Sequence, residues 1–148
     1  MKSLEAEFFQ EMKKGAVAFA EKQPGFQLVT VGTSTQTEVD RQIELVNNLI
    51  LEKADAIVLV PIDSKALVPV TVKAIRAGIK VINIDIRLDE ELLKQNGVEL
   101  TYVGPDNKTA STLVGNVLAG KLGRNAKVIL IEGLRVAENA QQRKAGFM

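Results

Sequence analysis

Short runs dense in Val, Ile and Leu alternate along this chain with stretches in which apolar residues recur every three or four positions. FQLVTV (26–31), AIVLV (56–60), IKVINI (79–84), ELTYV (99–103) and KVILI (127–131) are the dense runs, and near-continuous apolarity of this kind predicts strands covered on both faces. In Thr37 to Lys53 the residues Val39, Ile43, Val46 and Ile50 fall on one helical face, and Phe8, Met12, Ala16 and Phe19 repeat that pattern near the N-terminus. Ala66 to Ala77 predicts a third helix, with Asp63 or Ser64 as its cap, Pro69 in the first turn and Gly78 as the stop. Thr109 to Leu122 predicts a fourth, closed by Gly123.

Strands alternating with helices at roughly 25-residue spacing imply a parallel sheet with right-handed crossovers, a doubly wound α/β fold. Ligands in such folds sit outside the C-terminal ends of the strands, which is where Asp85 falls. A domain boundary is expected at Gly104-Pro105-Asp106-Asn107, where a strand ends in turn residues and a helix begins.

Composition narrows the chemistry. The 148 residues are 46% hydrophobic and 25% charged, ordinary globular proportions. Lys and Arg number 19 against 18 Asp and Glu, so neither nucleic acid nor an anionic membrane surface is the implied partner. The sequence has no Cys and no His, which removes thiol nucleophiles, the usual zinc ligands and imidazole-based triads. Val31-Gly32-Thr33-Ser34-Thr35 supplies one glycine where a dinucleotide fold wants Gly-x-Gly-x-x-Gly, and there is no Walker loop. No apolar run approaches the length of a membrane span, and MKSLEAEFFQEMKK lacks the uninterrupted apolar core of a signal peptide.

Three strand-end carboxylates remain. Asp63 and Asp106 stand immediately before helices and read first as caps. Asp85 is followed by Ile86-Arg87-Leu88, which begins no obvious amphipathic helix; its carboxylate is either a cap or an acceptor for adjacent hydroxyls of a polyol. Phe8 and Phe9 are about 100° apart on the first helix, so one packs inward and the other either walls a ligand or covers the sheet edge. Lys2 is a frayed terminal lysine unless more chain precedes it. Arg143 lies in a polar turn or first helical turn, either solvated or aimed at a ligand.

Together these places resemble the type I periplasmic sugar-binding proteins, the ribose-binding and allose-binding group that serves ABC importers. The resemblance runs through nearly the whole chain and is carried by FFQEMKKGA (8–16), PIDSKALVPVTVKAIRAGIKVINID (61–85), VGPDN (103–107), KLGRNAKVILIEG (121–133) and AQQRKAGF (140–147). It implies ligand-binding roles for Lys2, Phe8, Phe9, Asp85 and Arg143: a phenylalanine pair sandwiching the sugar ring, a strand-end aspartate, an arginine donating to sugar oxygens, and a lysine used by allose-type members. It also implies no cofactor, no metal, no catalysis, a periplasmic or extracellular location, a monosaccharide ligand and ABC permease subunits as partners. The effector core of a LacI-type transcription regulator shares the fold and is the alternative. A small α/β enzyme using Asp63, Asp85 or Asp106 as base is a third reading. Two departures stand out, since family members place Asn-Pro before the Phe pair where this chain has Ala6-Glu7, and ribose-type proteins follow the aspartate with arginine where this chain has Ile86.

The resemblance further implies an incomplete chain, lacking the first strand and most of the second lobe, with residues 1–104 as one lobe and 105–148 as the hinge crossover and the start of the other. In a doubly wound lobe the absent strand lies between FQLVTV and AIVLV, so both edges are expected to be open and to invite self-association.

Overall fold

A computed structural model describes residues 1–148. Its elements are α1 (Glu7–Ala20), α2 (Val39–Leu51), β1 (Ala56–Leu59), α3 (Val68–Arg76), β2 (Lys80–Ile84), α4 (Glu90–Gln95), β3 (Thr101–Val103), α5 (Asn107–Lys121) and α6 (Glu138–Phe147). The three strands form one parallel sheet in the order β1-β2-β3. Ala56 lies opposite Lys80, and Ile82 opposite Thr101.

The core lies where β-branched strands meet helices of matching period. Ile57 and Leu59 point from β1 into a cluster with Val46 of α2, Leu67, Val68, Val70, Val72 and Ala74 around α3, and Leu88, Leu93 and Val98 around α4. α2, α3 and α4 pack as one layer, α3 touching both of the others and β2. The opposite sheet face, with Val58, Ile82 and Val103, is solvent-accessible, so the pattern that predicts two covered faces has one covered face here.

Two buried amides tie the layer to the strand ends. Gln42 of α2 donates from Nε2 to the Val60 carbonyl at 2.7 Å and accepts from the Ile62 amide at 2.8 Å, which fixes the chain as it leaves β1. Asn83, inside β2, donates to the Leu59 carbonyl at 3.3 Å and the Ile86 carbonyl at 2.7 Å, and accepts from the Leu88 amide at 2.8 Å. An amide that satisfies three backbone groups in a low-dielectric setting specifies one conformation of the loop that follows.

Two of the five expected strands do not form. Residues 26–31 and 127–131 have no regular secondary structure and join no ladder. A strand exists only by pairing, and these runs have no neighbour at hydrogen-bonding distance along their length. The first is tied only at its end, where the Met1 ammonium donates to the Val31 carbonyl at 2.6 Å and the Leu4 amide to the Thr33 carbonyl at 2.9 Å. That approach requires Gly32, because a Cβ there would lie 2.7 Å from Leu4 Cγ and 2.8 Å from the Met1 carbonyl oxygen. The outer edge of β1 is unpaired as well, so both edges of the expected gap are open.

The remaining differences are local. The turn 64–67 precedes α3, whose first residue is Val68 rather than Ala66. α4 and α6 form where the apolar period is too short or too weak to predict them; α4 is only six residues long, and α6 is predominantly polar.

Candidate functional site

Asp106 is a helix cap as expected, whereas Asp63 is not: the N-cap of α3 is Leu67, with no side-chain cap bond, and Asp63 instead closes the turn before it. Asp63 Oδ1 accepts from the Lys65 and Ala66 amides at 2.8 Å each, closing the turn that leads into α3. Asp106 is the N-cap of α5, its side chain accepting from the Thr109 amide at 3.0 Å and the Thr109 hydroxyl at 2.6 Å. Those bonds stabilise the charged form and hold its carboxyl below the usual carboxylate range.

Asp85 caps nothing. α4 is capped by Asp89, whose Oδ1 accepts from the Leu92 amide at 2.8 Å. No side-chain hydrogen bond or ion pair within the chain engages the Asp85 carboxylate, and its one side-chain partner, the Tyr102 hydroxyl, reaches the main-chain carbonyl at 2.8 Å. The residue stands just past β2, its amide donating to the Val103 carbonyl at 3.1 Å. Burial pushes its carboxyl above the ordinary range, and the nearby Lys2 and Arg143 cations act in the opposite direction.

Lys2 is buried, only 6% exposed, rather than frayed. Its chain neighbours are held down: the Ser3 amide donates to the Thr33 hydroxyl at 3.1 Å and the Ser3 hydroxyl to the Ser34 carbonyl at 3.2 Å. Burial lowers its ammonium from the ordinary lysine value, Asp85 raises it and Arg143 lowers it further.

Arg143 comes from α6, a full helix rather than a turn. Its Nε donates to Asn107 Oδ1 at 2.8 Å, and Asn107, the first residue of α5, is buried. The two helices approach closely enough that a Cβ on Gly146 would lie 2.1 Å from the Lys108 carbonyl oxygen, and one on Gly115 2.9 Å from that of Phe147. Ser64 brings α6 to the end of the sheet: its hydroxyl accepts from the Glu138 amide at 2.9 Å, and its amide donates to the Val136 carbonyl at 3.0 Å. Ser64 is thus a bridge to α6 rather than the cap of α3.

The phenylalanine pair divides as its 100° separation requires. Phe9 is buried and Phe8 is 59% exposed, their rings edge to face with centroids 5.1 Å apart. Lys2, Asp85 and Arg143 therefore share one electrostatic neighbourhood, while Phe8 offers an accessible ring on α1. Sequence reasoning did not single out Asn83 or Tyr102, which the structure places around the Asp85 backbone. An amide in the middle of the apolar run KVINI was the available signal for Asn83; nothing in the local pattern marked Tyr102.

Chemically, a strand-end carboxylate with unengaged oxygens, in electrostatic reach of Lys2 and Arg143, can accept hydrogen bonds from a polar ligand. The family model described as periplasmic binding protein domain matches residues 1–148, and the chain belongs to that family. It is 45% identical over 148 residues to the D-ribose/D-allose-binding protein of Pseudomonas aeruginosa, covering 99% of this chain and 46% of that protein. An ABC transporter solute-binding protein from Burkholderia multivorans superposes with a TM-score of 0.93 at 47% identity, over 99% of this chain and 52% of that one. A periplasmic solute-binding protein from Actinobacillus succinogenes with bound D-allose gives a TM-score of 0.83 at 35% identity, over 99% and 50%. The chain thus spans about half the length of the relatives it matches.

Proposed function

We propose that this chain forms the ligand-binding part of a periplasmic solute-binding protein of an ABC-type sugar importer. Lys2, Phe8, Phe9, Asp85 and Arg143 contact a monosaccharide, residues 1–104 supply one lobe, and residues 105–148 supply the crossover and the start of the other. ABC permease subunits receive the loaded protein, and the reaction is binding and release without catalysis. The observation that carries the reading is the Asp85 carboxylate, whose oxygens are unengaged while those of Asp63 and Asp106 hold backbone amides. Two vicinal sugar hydroxyls can donate to such a carboxylate, and Lys2 and Arg143 donate to the ring and hydroxyl oxygens around it.

Relatives that bind ribose and allose make those two sugars the first to test. Ile86 is fully buried in the core and points away from solvent, so the residue after the aspartate offers no polar contact to a sugar. The arginine contact of ribose-type proteins is therefore absent at this position. The transcription-regulator alternative gains nothing from these relatives, which are transport proteins.

Calorimetric titration of the intact gene product containing these residues with D-allose and D-ribose tests the proposal. Asp85→Ala is expected to weaken binding by about 2 kcal/mol or more, because sugar hydroxyls lose their acceptor in a desolvated site. Asp63→Ala is expected to leave affinity unchanged and to cost about 1 kcal/mol of stability, through the turn bonds it loses. Equal affinities of Asp85→Ala and the parent protein would remove Asp85 from the site and the reading with it.

A further inference from the structure

The backbone at Asp85 is strained in a way that the ordinary end of a strand is not. Its φ is +63°, and the amide of Ile86 donates back to the carbonyl of Ile84 at 2.8 Å. A bond from residue i+2 to residue i across a positive-φ centre is a γ-turn of the rare, strained hand. Such conformations persist only when the surroundings over-determine them, and they cluster at ligand sites.

The surroundings here are identifiable. On the amino side the Asp85 amide is held by the Val103 carbonyl at 3.1 Å. On the carboxyl side the Tyr102 hydroxyl donates to the Asp85 carbonyl at 2.8 Å. The Tyr102 ring is in turn covered by the Arg87 guanidinium, 4.1 Å from the ring centroid, a cation–π contact that fixes the ring plane. Room for the hydroxyl exists only because residue 104 is glycine: a Cβ there would stand 2.1 Å from the Tyr102 hydroxyl oxygen and 2.5 Å from Cζ. Asn83 gathers the carbonyl of Ile86 and the amide of Leu88 from below.

We propose that Tyr102 is a positioning residue for ligand binding, clamping the Asp85 carbonyl so that a strained γ-turn fixes the direction in which the carboxylate leaves the strand end, with Gly104 as the space the clamp requires. This rests on the sugar-binding reading above. A relaxed backbone at residue 85 would change the direction of Cβ and with it the placement of the carboxylate. The strand end is thus held in a conformation that costs stability and keeps the acceptor preorganised.

The test needs one readout that involves no sugar. In the intact gene product, Asp85→Gly and Asp85→Ala both lack the carboxylate, but only alanine retains the Cβ that makes a positive φ unfavourable. Asp85→Gly is therefore expected to unfold about 2–4 °C above Asp85→Ala. The same comparison in a Tyr102→Phe background is expected to show a smaller gap, because the released turn relaxes. Tyr102→Phe alone is expected to weaken D-allose binding about 3- to 10-fold, the range of one lost hydrogen bond. Gly104→Ala, which displaces the hydroxyl by another route, is expected to do the same. A glycine variant no more stable than the alanine variant, or a gap that Tyr102→Phe leaves unchanged, would overturn the clamp. If the parent protein bound neither D-allose nor D-ribose while the gap and its dependence on Tyr102 held, the functional reading would fall and the clamp would stand as a structural device.

Discussion

Two β-branched runs of nearly the same composition have opposite fates in this chain. AIVLV pairs with KVINI in a ladder, and its Ile57 and Leu59 are buried in the cluster lined by α2, α3 and α4. KVILI has no partner, and Ile129 and Ile131 are 90% and 91% exposed. The contrast extends to the regions around them. Residues 39–103 hold almost all of the buried core, whereas beyond Gly104 the buried residues are Asn107 and Ala137 alone. α5 and α6 are well formed and pack on one another, yet Leu113, Val114 and Val117 of α5 face solvent. Secondary structure can be locally encoded, but apolar burial requires an opposing surface, and the second region has few such surfaces within these 148 residues.

The sharpest test of that contrast compares a core leucine with an exposed isoleucine. Leu67→Ala, at a fully buried position, is expected to cost about 2–5 kcal/mol in urea unfolding. Ile129→Thr is expected to stay within about 0.5 kcal/mol in the isolated 148-residue chain. A comparable loss from both would mean that KVILI is buried in solution, through self-association or a rearranged sheet, and concentration-dependent sedimentation would then distinguish the two.

A smaller effect tests how the packed region reaches the site. Gln42→Leu keeps the volume of the side chain but orphans the Val60 carbonyl and the Ile62 amide, for an expected loss of about 1–3 kcal/mol. Hydrogen exchange at Ile62 should accelerate in the variant. Unaltered protection there would show that the strand end is held by something other than the glutamine.

The smallest effect concerns pH and divides the two kinds of aspartate. Asp85 has its carboxyl raised by burial, so its protonated form contributes stability that is full below the ordinary carboxylate value and lost as pH rises through the raised one. Asp106 is the reverse: its cap bonds lower the carboxyl, and its contribution is full above the ordinary value and lost as pH falls through the lowered one. Thermal midpoints measured across the acid range should therefore decline less on the approach to neutrality for Asp85→Asn than for the parent protein. For Asp106→Asn the decline on acidification should be the smaller one. The same slope in parent and Asp85→Asn would mean that the carboxyl is solvated.

What could be read from the amino-acid order was whatever depends on near neighbours. The period of Val39, Ile43, Val46 and Ile50 located α2, which forms over Val39–Leu51; Asp106 before a helix meant a cap; the lack of His and Cys excluded whole chemistries; and the motifs pointed to the periplasmic binding family, to which the chain belongs. The candidate site was legible to the same extent. Asp85 could be singled out because no helix pattern follows it at once, and adjacent phenylalanines cannot both face inward. Tertiary structure alone decided the rest, because each remaining feature depends on atoms distant in sequence. Whether FQLVTV and KVILI become strands depends on a neighbour at ladder distance, which no property of the run itself supplies. Ser64 serves α6 rather than α3 because residues 136–138 happen to reach it. Asp85 can occupy a left-handed γ-turn because a tyrosine 17 positions later in the chain returns beside it on the adjacent strand, and pairing at that separation is set by the sheet register.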